Sequence, residues 1–125
     1  MVRWLAELPA EIPILSLIEI GPGEGDLLAD LVEALAEQSP QMLHRLELVL
    51  VEANPGMKQR QQARFQHQTS IPMRWCSMDQ LVAAPLRGVV IAHELLDALP
   101  VERLTYEDGV IWQQLVALDE TGALV

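Results

Sequence analysis

Glu19-Ile20-Gly21-Pro22-Gly23-Glu24-Gly25 places an acid and three glycines at alternate positions directly after an apolar run that starts at Ile14. Glycines in this spacing let the chain turn sharply and let a ligand approach bare backbone, which a Cβ would prevent. A helix starting just after them offers free backbone N–H groups and a positive dipole end. A dinucleotide fingerprint needs G-x-G-x-x-G. Here the third glycine comes one residue early, and Asp26 follows it. Glu24 and Asp26 would repel a pyrophosphate. S-adenosylmethionine has no phosphate and carries a sulfonium and an ammonium group, so it suits a loop bearing carboxylates. Glu19 can hold the ammonium directly or through water. Glu19, Gly21, Gly23 and Gly25 are therefore the candidate cofactor loop.

Glu52 closes a second apolar run, Leu46 to Val51, 27 residues after Gly25. An acid at the end of the second strand of a doubly wound fold accepts hydrogen bonds from ribose hydroxyls, usually at a spacing of roughly 20 residues. This residue fits a nicotinamide cofactor equally well. A third chemical group is Ala92-His93-Glu94-Leu95-Leu96-Asp97-Ala98-Leu99-Pro100, after a fourth apolar run. If it is helical, Glu94 and Asp97 share a face and could hold a guanidinium through charge-assisted hydrogen bonds. His93 or Glu94 could remove a proton from an attacking nitrogen. Cys76, Ser77 and Met78 follow the third strand, where topology alone places an adenine ring.

The elements that position these groups alternate. Strands are predicted over 14–20, 46–52, 71–75 and 88–92, the last of them buried. The helix over 25–37 carries Leu27, Leu28, Leu31, Val32 and Leu35 on one face. Residues 57–68 form a Gln-rich surface helix with few anchors, chiefly Met57, Ala63 and Phe65. Pro72 confines the third strand to an edge. A short helix over 78–84 has Asp79 as its cap, and another runs over 93–99. Then the rhythm changes to a hairpin, 101–106 and 110–118, turning at Asp108-Gly109. Thr121-Gly122 makes a further turn, and 123–125 reads as a strand cut short. The expected architecture is α/β: a doubly wound, mostly parallel sheet with a C-terminal antiparallel hairpin, in a single, truncated domain over residues 1–125.

The totals narrow the function. Of 125 residues, 50% are hydrophobic but only 4% aromatic, so the core is aliphatic. With 8 Lys and Arg against 18 Asp and Glu, the net charge is −10. That surface repels nucleic acid and anionic lipid and steers in a basic protein partner. Cys76 is the lone cysteine, so neither an internal disulfide nor a metal site is expected. The apolar stretch Ile12 to Ile20 is far below the roughly 20 residues of a membrane span, and no basic region with a cleavage site follows Met1. A cytoplasmic or organellar protein is expected.

Three stretches resemble the MidA-like family of class I S-adenosylmethionine-dependent methyltransferases: Ile18 to Leu28, Leu50 to Pro55 and Ala92 to Val101. The Asp108-Gly109 hairpin with Trp112 also looks like that family, and Glu-Leu-Leu-Asp-Ala-Leu-Pro-Val is the most specific part. The family usually has Asn at the place of His93. The resemblance implies a Rossmann-like methyltransferase acting on a protein arginine. The mitochondrial members act on a respiratory complex I subunit, and a mitochondrial matrix location would follow for a eukaryotic chain. It implies Glu19, Gly21, Gly23 and Gly25 in the cofactor loop, Glu52 on the ribose, and Glu94 and Asp97 on the substrate side. Two other functions fit the residues: a non-catalytic methyltransferase-like piece serving as a binding or assembly factor, and an NAD-dependent oxidoreductase domain.

Overall fold

The computed structural model of the protein describes residues 3, 5, 7, 14–67, 71–83 and 86–125. They divide into two compact units, Met1–Leu95 and Leu96–Val125.

In the first unit, Leu15–Ile20 (β1), Leu46–Val51 (β2), Met73–Cys76 (β3) and Gly88–Ile91 (β4) form one sheet in the order β3-β2-β1-β4. Every pairing in it is parallel. The helices are Asp26–Gln38 (α1), Pro55–Arg64 (α2) and Met78–Ala83 (α3), with a 3-10 turn over Pro40–Arg45. Strand alternation divides the core in two. Leu15 and Leu17 of β1 and Leu46, Leu48 and Leu50 of β2 pack with Leu28, Leu31, Val32 and Leu35 of α1. Ile18, Val49, Val51 and Cys76 form the second cluster, against Leu81 and Leu86. Helices thus cover both faces, as the doubly wound reading requires. Chain order runs outward from β1 through β2 to β3, then returns to the other side of β1 with β4. The switch in strand order therefore falls between β1 and β4, beyond whose carboxyl ends ligands bind in such sheets.

Several local expectations change. Leu27 is 39% exposed, so the α1 stripe is narrower than its sequence suggests. β4 is not a buried strand: Ile91 is buried but Val90 is 55% exposed, because β4 is the outer strand of this sheet. β3 is the opposite edge, as Pro72 requires. Ser77, not Asp79, opens α3. Its Oγ accepts from Gln80 N (3.2 Å), while Gln80 Oε1 accepts from Ser77 N (2.9 Å). This reciprocal pair leaves Asp79 only a place in the first turn. The expected helix over 93–99 does not form. Glu94 has φ 47°, a left-handed conformation that stops an α-helix, and only a 3-10 turn over Leu96–Ala98 remains. Ile12, Gln68 and Ala84, expected ends of an apolar stretch and two helices, lie outside the described residues.

The second unit is an antiparallel hairpin, Arg103–Glu107 (β5) with Val110–Gln114 (β6). Asp108 (φ 50°) and Gly109 (φ 82°) make the two-residue turn that Asp-Gly favours. A smaller turn follows, held by Asp119 N donating to Ala123 O (2.9 Å) and a bridge from Leu118 to Leu124. No helix among the described residues is long and apolar enough to cross a membrane.

Candidate functional site

Glu19 is the penultimate residue of β1, paired with Leu50 on one side and Ile91 on the other. It is 4% exposed, and its Oε2 has no hydrogen-bond partner among the described residues. A buried carboxylate without a partner is costly, and the usual response is to hold its proton. Burial pushes Glu19 from an ordinary 4.5 up to about 7, and the charge of His93 draws it part of the way back. An orphaned acid at the carboxyl end of the central strand, beside the switch in strand order, is a place for a cation.

The chain then turns through three residues in the left-handed region: Gly21 (φ 67°), Gly23 (φ 55°) and Gly25 (φ 83°). Gly21 N donates to Val51 O (3.1 Å), which stitches the loop to the end of β2. Gly25 N donates to Pro22 O (2.8 Å) and closes the turn. The glycines do different work. A Cβ on Gly25 would stand 2.8 Å from Phe65 Cε2, so packing demands glycine there. Among the described residues, its two chain neighbours apart, a Cβ on Gly23 would have no atom within 4 Å, so its side of the backbone is open. A ligand can lie on that side.

Glu52 follows β2 and is half-buried. Its N donates to Cys76 O (3.3 Å). Its Oε1 accepts from Asn54 N (2.8 Å) and its Oε2 from Gln61 Nε2 (3.1 Å). Each oxygen keeps a second acceptor position, so two hydroxyl donors can be received by an acid already held in place. Asn54 also caps α2, accepting from Gly56 N (2.9 Å) and Met57 N (3.3 Å), with Pro55 at the first helical position. One short stretch, Glu52 to Gly56, therefore both orients the acid and starts the helix.

The structure brings together Glu19, the glycine loop, Glu52 and Cys76, since the hydrogen bonds above join the ends of β1, β2 and β3. Ser77 and Met78 continue from Cys76 into α3, and Met78 is 48% exposed. His93 is near enough to act on Glu19 electrostatically. Leu95 closes on the loop, with its Cδ1 2.8 Å from where a Gly21 Cβ would be. Glu94, between them, is exposed. Asp97 belongs to the second unit, exposed on its 3-10 turn. The shared helical face that would have paired Glu94 with Asp97 is absent, because residues 93–95 are not helical.

The loop acids also behave differently from their sequence reading. Glu24 pairs with Arg60 (3.1 Å) and Asp26 with Arg64 (2.7 Å), both on the surface. Their negative charge is matched by α2, so repulsion of a pyrophosphate no longer rests on them. Glu19, by contrast, has an oxygen with no hydrogen-bond partner among the described residues, and Glu52 is held by an N–H and an amide rather than by a cation. Among the described residues no cluster of His, Cys, Asp and Glu could hold a metal ion. Sequence reasoning missed Gln61, buried on α2 and hydrogen-bonded to Gly23 O (2.7 Å), Glu52 and Trp75 Nε1 (2.9 Å). A polar residue in a Gln-rich helix gives no periodic signal of burial.

Residues 1–124 match the family described as "Putative S-adenosyl-L-methionine-dependent methyltransferase". Among solved structures, the chain is similar to a "likely methyl transferase from Burkholderia thailandensis bound to S-adenosyl-homocysteine", with a TM-score of 0.70 and 27% sequence identity. That match covers 99% of this chain and 31% of the other, so the chain spans about a third of that protein's length. No curated protein matches the sequence.

Proposed function

Because the chain belongs to this family of S-adenosyl-L-methionine-dependent methyltransferases, we propose that it binds S-adenosylmethionine over the Gly21–Gly25 loop and serves a methyltransferase of MidA-like specificity whose acceptor is a protein arginine side chain. The observation that carries the reading is Glu19, a buried acid with an unpartnered oxygen at the root of a glycine loop. A cation satisfies it, and the ammonium of S-adenosylmethionine is one. When bound, that cofactor supplies a methyl group on a positively charged sulfur. A dinucleotide would bring phosphates, and no unpaired donor on the loop side chains compensates for placing them near Glu19.

The remaining residues divide the work of binding and orientation. Glu52 receives the two ribose hydroxyls, and the open side of Gly23 accommodates the ligand against backbone. Cys76, Ser77 and Met78 lie at the end of β3, one strand beyond Glu52, on the adenine side. Glu94 is exposed beside the loop, where it can hold a guanidinium and take up the proton that its nitrogen sheds. The net charge of −10 favours encounter with a cationic protein. Most of the rate then comes from holding donor and acceptor in line.

Isothermal titration with S-adenosylhomocysteine and with NAD tests the cofactor. S-adenosylhomocysteine is expected to bind and NAD to bind far more weakly, and the reverse order ends the proposal. Incubation with radiolabelled S-adenosylmethionine and arginine-bearing protein acceptors tests the second half. Glu52→Ala is expected to weaken S-adenosylhomocysteine by about 1–3 kcal/mol, the scale of hydrogen bonds to a charged group. An unchanged affinity removes Glu52 from the site.

A further inference from the structure

Gln61 is fully buried on an otherwise polar helix, and a buried carboxamide is stable only where its donors and acceptor are all engaged. The orientation of this one is fixed by chemistry. The indole N–H of Trp75 can only donate, so the atom 2.9 Å from it must be the oxygen, Oε1. Nε2 therefore faces the other way. It has two hydrogens, and two acceptors await them: Gly23 O at 2.7 Å and Glu52 Oε2 at 3.1 Å. One amide thereby connects three separate segments: the loop after β1, the acid after β2, and β3. No side chain without this donor pair and acceptor could make the three bonds at once.

We propose that Gln61 is a positioning residue for the cofactor, setting the distance and direction between the glycine loop and the ribose-binding acid. The inference rests on the cofactor reading above. Gln61 does not touch the ligand. It holds the Glu52 carboxylate so that its free acceptor positions face the hydroxyls, and it pins Gly23 so that the open side of the loop stays in register with them. Trp75 takes part as the residue that prevents the amide from flipping.

Gln61→Met keeps the volume and removes both donors and the acceptor. Its affinity for S-adenosylhomocysteine, measured by isothermal titration, is expected to fall about tenfold to a hundredfold, the range for lost hydrogen bonds to a charged group. Adenosine, which has the ribose without the amino-acid tail, is expected to lose a similar factor. A double-mutant cycle separates positioning from packing. If Gln61 acts through Glu52, then Glu52→Ala in the Gln61→Met background costs less than about threefold further. Glu19→Gln, at the other end of the ligand, multiplies its own loss onto that of Gln61→Met. Thermal unfolding of the ligand-free variants reports whether they fold. Should Gln61→Met fail to fold, Trp75→Phe decides, since it removes the indole N–H that fixes the amide orientation while keeping an aromatic ring against the core, and is expected to weaken binding a few-fold. Unchanged affinity in a folded variant, or losses at Gln61 and Glu52 that simply multiply, overturns the inference while leaving the cofactor reading standing. A wild-type chain that does not bind S-adenosylhomocysteine overturns the cofactor reading itself, and this inference with it.

Discussion

Gly23→Val is expected to abolish S-adenosylhomocysteine binding, by at least about a hundredfold, while the chain still folds. The two consequences separate because of what surrounds this glycine. Among the described residues, its two chain neighbours apart, no atom lies within 4 Å of a Cβ placed on it, so the fold has room for the new side chain. The cost to folding is conformational: a non-glycine residue at φ 55° gives up roughly 1–2 kcal/mol, somewhat more for a β-branched one. Against a typical stability of about 5–15 kcal/mol that leaves most molecules folded. The cost to binding is steric, because two methyl groups fill the side on which the ligand rests. Gly23→Ala pays the same kind of backbone cost with a smaller obstruction, and its affinity should fall between the two. Gly25 is the contrasting position. Its Cβ would meet the Phe65 ring at 2.8 Å, so Gly25→Ala should lower the unfolding temperature of the ligand-free chain first. Titration with S-adenosylhomocysteine beside thermal unfolding checks all three. Retained affinity in Gly23→Val would make the loop a plain strand-to-helix turn.

What could be read in advance follows from what carries a local signal. β1, the glycine loop and Glu52 were legible because each depends on near neighbours: an apolar run, a turn residue that tolerates positive φ, an acid at a strand end. The Asp108-Gly109 hairpin was legible for the same reason. Residues whose environment is made by distant chain were not. Met57, Ala63 and Phe65 were expected to anchor α2; Phe65 is buried and Met57 half-buried, but Ala63 is exposed, and the fully buried residue of the helix is Gln61. Hydrophobic periodicity detects apolar anchors and is blind to a polar one whose partners are Gly23, Glu52 and Trp75. Arg60 and Arg64 reach back to Glu24 and Asp26 across more than thirty residues of sequence, and no spacing rule reveals that pairing. The segment after β4 failed differently. Its composition suits a helix, but Glu94 adopts a left-handed conformation, which separates it from Asp97 as a helical pair.

Glu19 gives the largest expected dependence on pH. Its folded value of about 7 lies above the ordinary 4.5, so between those limits the folded chain binds a proton that the unfolded chain has released. Protonation of Glu19 therefore favours folding. That contribution is complete below about pH 4.5 and is lost as the pH rises through 7, by on the order of 3 kcal/mol. Urea unfolding of the ligand-free chain across this range should show it, and Glu19→Gln, neutral throughout, should not. Binding has the opposite slope. A cationic ammonium requires the charged carboxylate, so affinity for S-adenosylhomocysteine should rise with pH, by up to about tenfold per unit below 7, and level off above. Ligand binding near pH 6 should release a proton, measurable as a buffer-dependent enthalpy. His93→Leu removes the charge that draws Glu19 downward and should move the break to higher pH. A wild-type affinity that is flat from pH 5.5 to 8 would mean that Glu19 does not face the ammonium, and the cation would have to be held elsewhere.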